Sequence, residues 1–356
     1  MASIKVLSID GGGIRGIIPA IILGELQKRL ARNLYEVFDL IAGTSTGGII
    51  ALGIGTRGNN GQPYTADELL NLYVQNGPAI FTKNFLTPEK ELLFPKYSPD
   101  GLEKVLAEFF QATEFKTALT PLLISSYDLQ SQLPFFFKSH QITAKPNYNW
   151  PVTAIARATS AAPTYFPPLH LTRGAEDYAL VDGGVFVNNP AMAAYAEARH
   201  LYRDSARFVV VSVGTGDRQD SISYAQSKDW GLLGWARQIV PVLMDSVSES
   251  VDYQMSQMPG CMYHRLQVSN LQAAENEMDD VTPGKSRQSS ANRQRVCRGS
   301  IGQSGRNLRR TERRPWKQYA RRRPEVNIGP QAGCEATVGW RVRMAATTRG
   351  HFMSLG

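Results

Sequence analysis

One stretch of the sequence constrains the possible folds of this chain more than any other. It is an apolar segment that breaks at a G-x-S-x-G pentapeptide and continues into a predicted helix. Residues 40–49 read LIAGTSTGGI. A serine on a tight strand-to-helix turn exposes its hydroxyl at the end of a sheet, and Gly43 and Gly47 lack the side chains that would collide in so sharp a bend. The pentapeptide therefore predicts a nucleophile elbow with Ser45 as nucleophile. A lone match also arises by chance in small-residue loops, so the prediction depends on other stretches.

Strand-like and helix-like segments alternate over the first 283 residues, which predicts an α/β fold with a mostly parallel sheet covered by helices. We find no internal repeat. Strands are predicted at 4–9, 121–127, 133–138, 178–182 and 207–213, with the strand, elbow and helix at 37–56. Helices are predicted at 14–30, 66–76, 99–111, 190–202 and 236–251.

Charge is distributed unevenly along the chain. Residues 284–356 contain 17 Lys and Arg against 3 Asp and Glu, whereas residues 1–283 contain 22 against 28. The basic segment has only 9 Leu, Ile, Val and Phe among 73 residues, too few to offset the entropy of ordering. We predict one folded domain over 1–283 and a disordered tail over 284–356. That tail is either a native basic arm or a frame-shifted translation, since shifted codons from a GC-rich gene are rich in arginine.

Cysteine usage and hydropathy indicate the compartment. Cys261, Cys297 and Cys334 are an odd number without C-x-x-C spacing, which argues against a disulfide framework and a zinc site. The N-terminus lacks the plan of a signal peptide, and no apolar run approaches the roughly 18 residues of a membrane span. The sequence predicts a cytoplasmic protein, peripheral at membranes if it meets them, with no metal and no cofactor. Nothing in it specifies an oligomeric state.

A glycine-rich segment, DGGGIRG, follows the first predicted strand. Gly11, Gly12 and Gly13 allow backbone N–H groups to converge on one anionic oxygen, as an oxyanion hole or a phosphate cradle requires. Arg15 is either a positive anchor nearby or a cation on the helix surface. The glycine spacing also fits a dinucleotide fingerprint, which needs an acid at the end of the second strand. The nearby acid, Asp39, lies at the start of that strand, which disfavours nucleotide binding.

A third stretch, LVDGG, ends a predicted strand with Asp182. Active sites of open α/β sheets lie at the carboxyl ends of the parallel strands. This position predicts that Asp182 faces the same sheet edge as Ser45 and the glycine loop. Taken alone, an Asp-Gly-Gly sequence is also typical of a simple turn.

Together the three stretches resemble the marks of the patatin-like phospholipases, namely a D-G-G-G-x-R-G oxyanion loop, a G-x-S-x-G serine and a D-G-G aspartate. Residues 158–168, ATSAAPTYFPP, are also similar to a family segment. The resemblance covers roughly residues 4–280. It implies a three-layer α/β/α sandwich and calcium-independent hydrolysis of acyl esters in lipids. It also implies a catalytic dyad of Ser45 and Asp182, with an oxyanion hole from residues 11–13 and Arg15.

Histidines can be checked against the dyad that the resemblance implies. A triad histidine of an ordinary α/β-hydrolase would follow the acid in chain order, on a loop after a strand. The histidines after Asp182 are His200, His264 and His351, in a predicted helix, a predicted strand and the tail, and those before it are His140 and His170. None fits a base, which leaves Asp182 in that role.

Two apolar stretches either meet a lipid surface or pack inside the protein: residues 78–97, and the group Trp230, Leu232, Leu233 and Trp235. The leading hypothesis is a lipid acyl hydrolase of phospholipase A or lysophospholipase type. Its partner would be lipid at a membrane or micelle surface, with no specific nucleic acid. Two alternatives stay open: an effector of the same fold regulated through the chain beyond about residue 215, and a polyanion-binding protein acting non-specifically through the tail.

Overall fold

The computed structural model describes residues 3–58, 60–82, 95–217 and 222–268, and the backbone of two short strands at 325–326 and 342–346. The strands are β1 Ile4–Ile9, β2 Leu40–Thr44, β3 Leu122–Asp128, β4 Leu133–Lys138, β5 Leu169–Arg173, β6 Glu176–Asp182, β7 Phe208–Val213, β8 Cys261–Val268, β9 Glu325–Val326 and β10 Val342–Ala346. The helices are α1 Ile17–Leu30, α2 Leu34–Val37, α3 Thr46–Gly55, α4 Ala66–Ile80, α5 Pro99–Phe110, α6 Val152–Thr159, α7 Gly184–Val187, α8 Ala191–Leu201, α9 Tyr224–Ser227 and α10 Leu232–Gln257.

All these strands belong to one mixed sheet. Its centre is parallel, in the order β3-β2-β1-β7-β8. Antiparallel strands extend both sides of this centre. On one side β4 and β6 pair with β3, and β5 pairs with β6. On the other side β10 pairs with β8, and β9 pairs with β10. The predicted α/β class is confirmed.

Alternation along the central strands divides their side chains between two cores, because successive residues of a strand point to opposite faces. Leu7 and Ile9 of β1 pack in a core with residues of α1, α3, α4, α5 and α6. Val6 lies in a second core with residues of α8 and α10. The sheet is therefore covered by helices on both faces, which is the expected three-layer arrangement.

The direction of β6 differs from the prediction. β6 runs antiparallel to β3, with Asp182 opposite Ser126. β2 pairs with residues 122–125 of β3, and β4 pairs with residues 123–128. β3 has two hydrogen-bonding edges, and β4 occupies one of them. β2 and β6 therefore pair with the other edge of β3, one after the other, and their carboxyl ends meet there. The sequence predicts that Asp182 lies near Ser45 because parallel strands end at one sheet edge. In the structure the two residues are close because β6 runs antiparallel to β3 and ends where β2 ends.

Helix boundaries follow local capping. Thr65 is the N-cap of α4, and its hydroxyl accepts the Glu68 N–H in a capping box. Ser98 is the N-cap of α5, which begins with Pro99. The helix predicted at 14–30 instead opens with a 3₁₀ turn, Gly13–Gly16, because the consecutive glycines disfavour a regular α-helical start.

Two predictions fall largely on residues that the structure does not describe. Of the apolar stretch at 78–97, residues 83–94 lie outside the described residues. Of the basic segment at 284–356, only β9 and β10 are described, and β10 pairs with β8. Within the described ranges, no helix combines the length and apolarity that a membrane crossing needs.

Candidate active site

Ser45 lies on a strained turn between β2 and α3. Its backbone adopts φ 55° and ψ −126°, a conformation that non-glycine residues rarely occupy. The turn is fixed by the Ser45 N–H, which donates to Thr159 Oγ1 at 2.9 Å, and by the Ser45 carbonyl, which accepts the Ile49 N–H at 3.1 Å. This is the local geometry that a nucleophile elbow requires.

The two flanking glycines are required by close backbone approach. A Cβ on Gly43 would lie 2.2 Å from the Gly47 carbonyl oxygen, and a Cβ on Gly47 would lie 2.2 Å from the carbonyl oxygen of Ile9. The elbow therefore packs directly against the end of β1, where the glycine loop begins. A Cβ on Gly11 would come within 3.1 Å of the Ser45 Cβ, so the loop and the serine are in contact.

The glycine loop supplies two free backbone donors to the pocket. Gly12 and Gly13 line the same pocket as Ser45, and within the described parts of the chain their N–H groups donate to no acceptor. The Gly11 N–H instead donates to the Asn188 carbonyl at 3.0 Å, so this donor is not available to an oxyanion. Arg15 bonds the carbonyls of Gly12 and Gly216, at 3.5 and 3.4 Å, and thus supports the loop.

Asp182 is fully buried at the end of β6. Its Oδ1 accepts the Gly184 N–H at 2.7 Å, and its Oδ2 has no described partner at ordinary hydrogen-bonding distance. Burial raises the pKa of Asp182 to about 7, although the nearby Ser45 hydroxyl and the Gly184 N–H lower it. A carboxylate with such a pKa beside the Ser45 hydroxyl is suited to accept a proton near neutral pH.

The pocket around these groups is mainly apolar. Its polar lining consists of Ser45, Thr46, Ser160, Asp182 and the two glycines. The remaining wall is mainly hydrophobic and is formed by Ile49, Tyr73, Ile80, Phe81, Leu102, Ala162, Tyr165, Phe166 and Met244. Such a lining favours an extended hydrocarbon chain over a charged or strongly hydrated ligand.

The described histidines lie elsewhere. His140 and His170 interact with the carboxylates of Glu197 and Asp177, and His200 contacts Arg203. His264 is half-buried in β8, where burial lowers its pKa. None of these four lines the pocket, while His351 falls outside the described residues.

Sequence reasoning missed several residues around the site. Thr159 fixes the elbow through its hydroxyl, whereas the sequence of residues 158–168 indicates only a similarity to a family segment. Asn188 lies between the glycine loop and the aspartate turn, since its Oδ1 would lie 2.3 Å from a Cβ on Gly11 and 3.3 Å from a Cβ on Gly184. Its Nδ2 donates to Ser248 Oγ of α10 at 2.9 Å. The sequence NNP after the aspartate was the signal that could have identified it.

The two apolar stretches differ in the structure. Phe81 and Tyr97, from the ends of residues 78–97, pack their rings 5.5 Å apart. In contrast, Leu232 is 93% and Leu233 67% exposed, and Trp235 is also exposed beside Trp230, with ring centroids 5.4 Å apart. The described ends of the first stretch therefore pack inside the protein, and the second stretch leaves apolar side chains in solvent.

Comparisons with known proteins agree with this arrangement. A family model described as patatin-like phospholipase matches residues 7–195. Patatin-like protein 2 of Arabidopsis thaliana is 32% identical over 290 residues, covering 71% of this chain and 71% of that protein. Patatin group J-1 of Solanum tuberosum is 33% identical over 312 residues, covering 78% of this chain and 80% of that protein.

A solved structure, VipD from Legionella pneumophila, is a much weaker match. It has a TM-score of 0.34 and 14% identity, with 81% of this chain covered. This chain spans 64% of VipD, which is less than two thirds. A score this low does not establish a shared fold.

An apolar pocket at the meeting point of an elbow serine, a buried carboxylate and a glycine loop has the arrangement expected of a hydrolase for hydrophobic acyl groups. The family match and the extent of sequence identity define the class further: the chain belongs to the patatin-like phospholipase family. Family membership supports lipid acyl hydrolase activity in general.

Proposed function

We propose that this protein hydrolyses carboxylic esters of membrane lipids, as a phospholipase A or lysophospholipase, through Ser45 and Asp182. One observation carries the proposal: Ser45, Asp182, Gly12 and Gly13 line the same mainly apolar pocket, and the N–H groups of the two glycines have no described acceptor. The lipid acyl chain would occupy the apolar part, which leaves the ester carbonyl at the serine.

The reaction proceeds in two steps. Asp182 takes the proton of the Ser45 hydroxyl, Ser45 Oγ bonds to the ester carbon, and the Gly12 and Gly13 N–H groups stabilise the oxyanion. The ester C–O bond then breaks, and the proton passes from Asp182 to the departing alcohol. Water attacks the acyl-enzyme with the same aspartate as base, which releases a fatty acid and restores the Ser45 hydroxyl.

A lipid-class panel tests this function. The purified protein would be incubated with phosphatidylcholine, lysophosphatidylcholine, a galactolipid and triacylglycerol, with and without EDTA, and released fatty acid would be measured. We expect release from a polar lipid, unaffected by EDTA and absent in Ser45→Ala. Release from no class, or inhibition by EDTA that calcium reverses, would contradict the proposal.

The pH dependence of kcat/KM should follow Asp182. The base must be ionised, and burial raises the pKa of Asp182 to about 7, so activity should increase with pH and level off above this value. Measuring kcat/KM for a soluble ester from pH 5 to 9 gives the apparent pKa of the acid limb. A limb near the ordinary pKa of aspartate, about 4, would contradict the role of Asp182.

We also propose that the lipid surface contacts the α10 apolar face, defined as Leu232, Leu233, Trp235, Ile239 and Leu243. All five side chains are exposed, and four of them recur at helical spacing along one side of the helix. The same helix contributes Met244 to the pocket wall. A surface-bound α10 would therefore lie against the lipid from which the substrate is drawn.

The double variant Leu232→Glu with Leu233→Glu should lower binding to phosphatidylcholine vesicles by about tenfold or more, because charges replace two leucines that the bound lipid surface would cover. Turnover of a short soluble ester should stay unchanged. The matched control is Leu129→Glu with Leu133→Glu, two exposed leucines around the β3–β4 turn. Equal vesicle binding by both double variants would refute this docking surface.

A further inference from the structure

Asp10, the first residue of the D-G-G-G-x-R-G motif, forms a buried ion pair with Arg265, which lies outside the family motifs. Asp10 directly follows β1, which ends at Ile9, and its Oδ2 lies 2.6 Å from Nη2 of Arg265. The two side chains are only 3% and 2% exposed. Arg265 lies on β8, well outside the residues 7–195 that the family model matches. This pair does not line the pocket, so any effect on the reaction must act through the loop.

Arg265 links the three strands that end beneath the loop. Its Nη1 donates to Ser212 Oγ on β7 at 2.8 Å, while its Nη2 reaches past that strand to Asp10, the residue that follows β1. The planar guanidinium can bond two acceptors in a fixed geometry, which a lysine ammonium cannot do in the same way. The carboxyl end of β1 is thus held relative to β7 and β8.

A second connection runs from the same face of β8, because residues two apart in a strand share a face. Gln267 Oε1 accepts the Gly216 N–H at 2.8 Å, and the Gly216 carbonyl in turn accepts from Arg15. Thr215 Oγ1 donates to the Gly11 carbonyl at 2.8 Å. β8 therefore supports the glycine loop at both of its ends.

The positive charge of Arg265 also affects the ionisation of Asp10. Burial raises the pKa of Asp10 to about 6 even though Arg265 lowers it, and the carboxylates of Asp252 and Asp217 also raise it. Without Arg265 the pKa of Asp10 would rise further, and its buried carboxyl group would be neutral near pH 7. The charge-assisted hydrogen bond that ties the residue after β1 to β8 would then be lost.

We propose that Arg265 is a positioning residue, which acts through Asp10 to hold the N–H groups of Gly12 and Gly13 at the place where the oxyanion forms. This role rests on the proposed function, since it concerns the same pocket. Catalysis would then also depend on a residue of β8, a strand that contains none of the family motifs.

Arg265→Met tests the role, because methionine keeps much of the side-chain volume but removes the charge and both hydrogen bonds. We expect kcat to fall about 10- to 100-fold with KM little changed, because misplaced donors weaken transition-state stabilisation more than substrate binding. The inhibition constant of a trifluoromethyl ketone, which forms a tetrahedral adduct, should rise by the same factor. Amide hydrogen exchange should increase in residues 10–16.

Lys138→Met is the matched control, since Lys138 forms an ion pair of the same 2.6 Å length with Glu197 away from the pocket. It should leave kcat and loop exchange unchanged. If Arg265→Met does not fold, Arg265→Lys carries the test, with an intermediate kcat and increased loop exchange expected.

Two results would overturn the positioning role: a folded Arg265 variant with wild-type kcat, or a lower kcat with unchanged exchange in the loop. The proposed function fails separately, if the wild-type protein releases no fatty acid. In that case the exchange comparison still decides whether Arg265 holds the loop.

Discussion

Ser45→Ala is expected to lower ester hydrolysis by at least about 10⁴-fold while the protein stays folded. The substitution removes one oxygen and keeps the Cβ, so the packing of the elbow against β1 is unchanged. Without Oγ no acyl-enzyme can form, and the remaining groups only bind and polarise the ester. The measurement is kcat for a p-nitrophenyl ester, with circular dichroism to verify folding. Turnover near the wild-type rate would show that the nucleophile is another residue.

Ser45→Gly sharpens this test, because it removes the same oxygen and also the cause of backbone strain. The strain of a residue at φ 55° is about 1–3 kcal/mol, whereas glycine loses roughly 0.5–1 kcal/mol through unfolded-state entropy. Both variants should be equally inactive, and Ser45→Gly should melt at the same temperature as Ser45→Ala or higher. A clearly lower melting temperature would indicate that the elbow is not strained.

Asp182→Asn is expected to lower kcat by roughly 10²–10⁴-fold, the usual contribution of a general base. Asparagine has the same shape and can still accept the Gly184 N–H, but it cannot take the Ser45 proton. The matched control is Asp177→Asn, an exposed carboxylate in the same strand that interacts with His170. Equal losses in both variants, or none in Asp182→Asn, would contradict the assignment of the base.

The same substitution should change stability in a defined pH window. The folded protein holds Asp182 with a pKa of about 7, above the value of about 3.9 for an unfolded chain. Its neutral form is therefore favoured by folding, and the wild-type protein loses stability as pH rises from about 4 through 7. Asparagine stays neutral, so the melting temperature of Asp182→Asn relative to wild type should increase across that window and then level off.

The elements around the elbow could be predicted because their signals are local. The apolar run of β2, the small residues at the bend and the Ser98-Pro99 cap of α5 each act within a few residues. The strand at 169–173 and the helix at 152–159 were not predicted. β5 lies at a sheet edge with partly exposed residues, and α6 contains β-branched residues that tertiary burial stabilises.

Long-range features could not be read in the same way. The motifs predict that Ser45 and Asp182 share one site. The antiparallel direction of β6 cannot be predicted from them, because it depends on which edge of β3 is free, and this is a property of the whole sheet. Likewise, Asp10 and Arg265 are 255 residues apart in the sequence, and no local sequence pattern predicts their contact. Local sequence specified the reacting groups, and tertiary pairing determined what holds them.

The most direct test of the Ser45–Asp182 site is covalent labelling with a fluorophosphonate, followed by peptide mass spectrometry. The account predicts a single adduct on Ser45, with a labelling rate that falls strongly in Asp182→Asn. The rate should stay at the wild-type level in His140→Ala, His170→Ala, His200→Ala and His264→Ala, provided that each variant folds. An adduct on another residue, or a folded histidine variant that loses labelling as strongly as Asp182→Asn, would contradict the account.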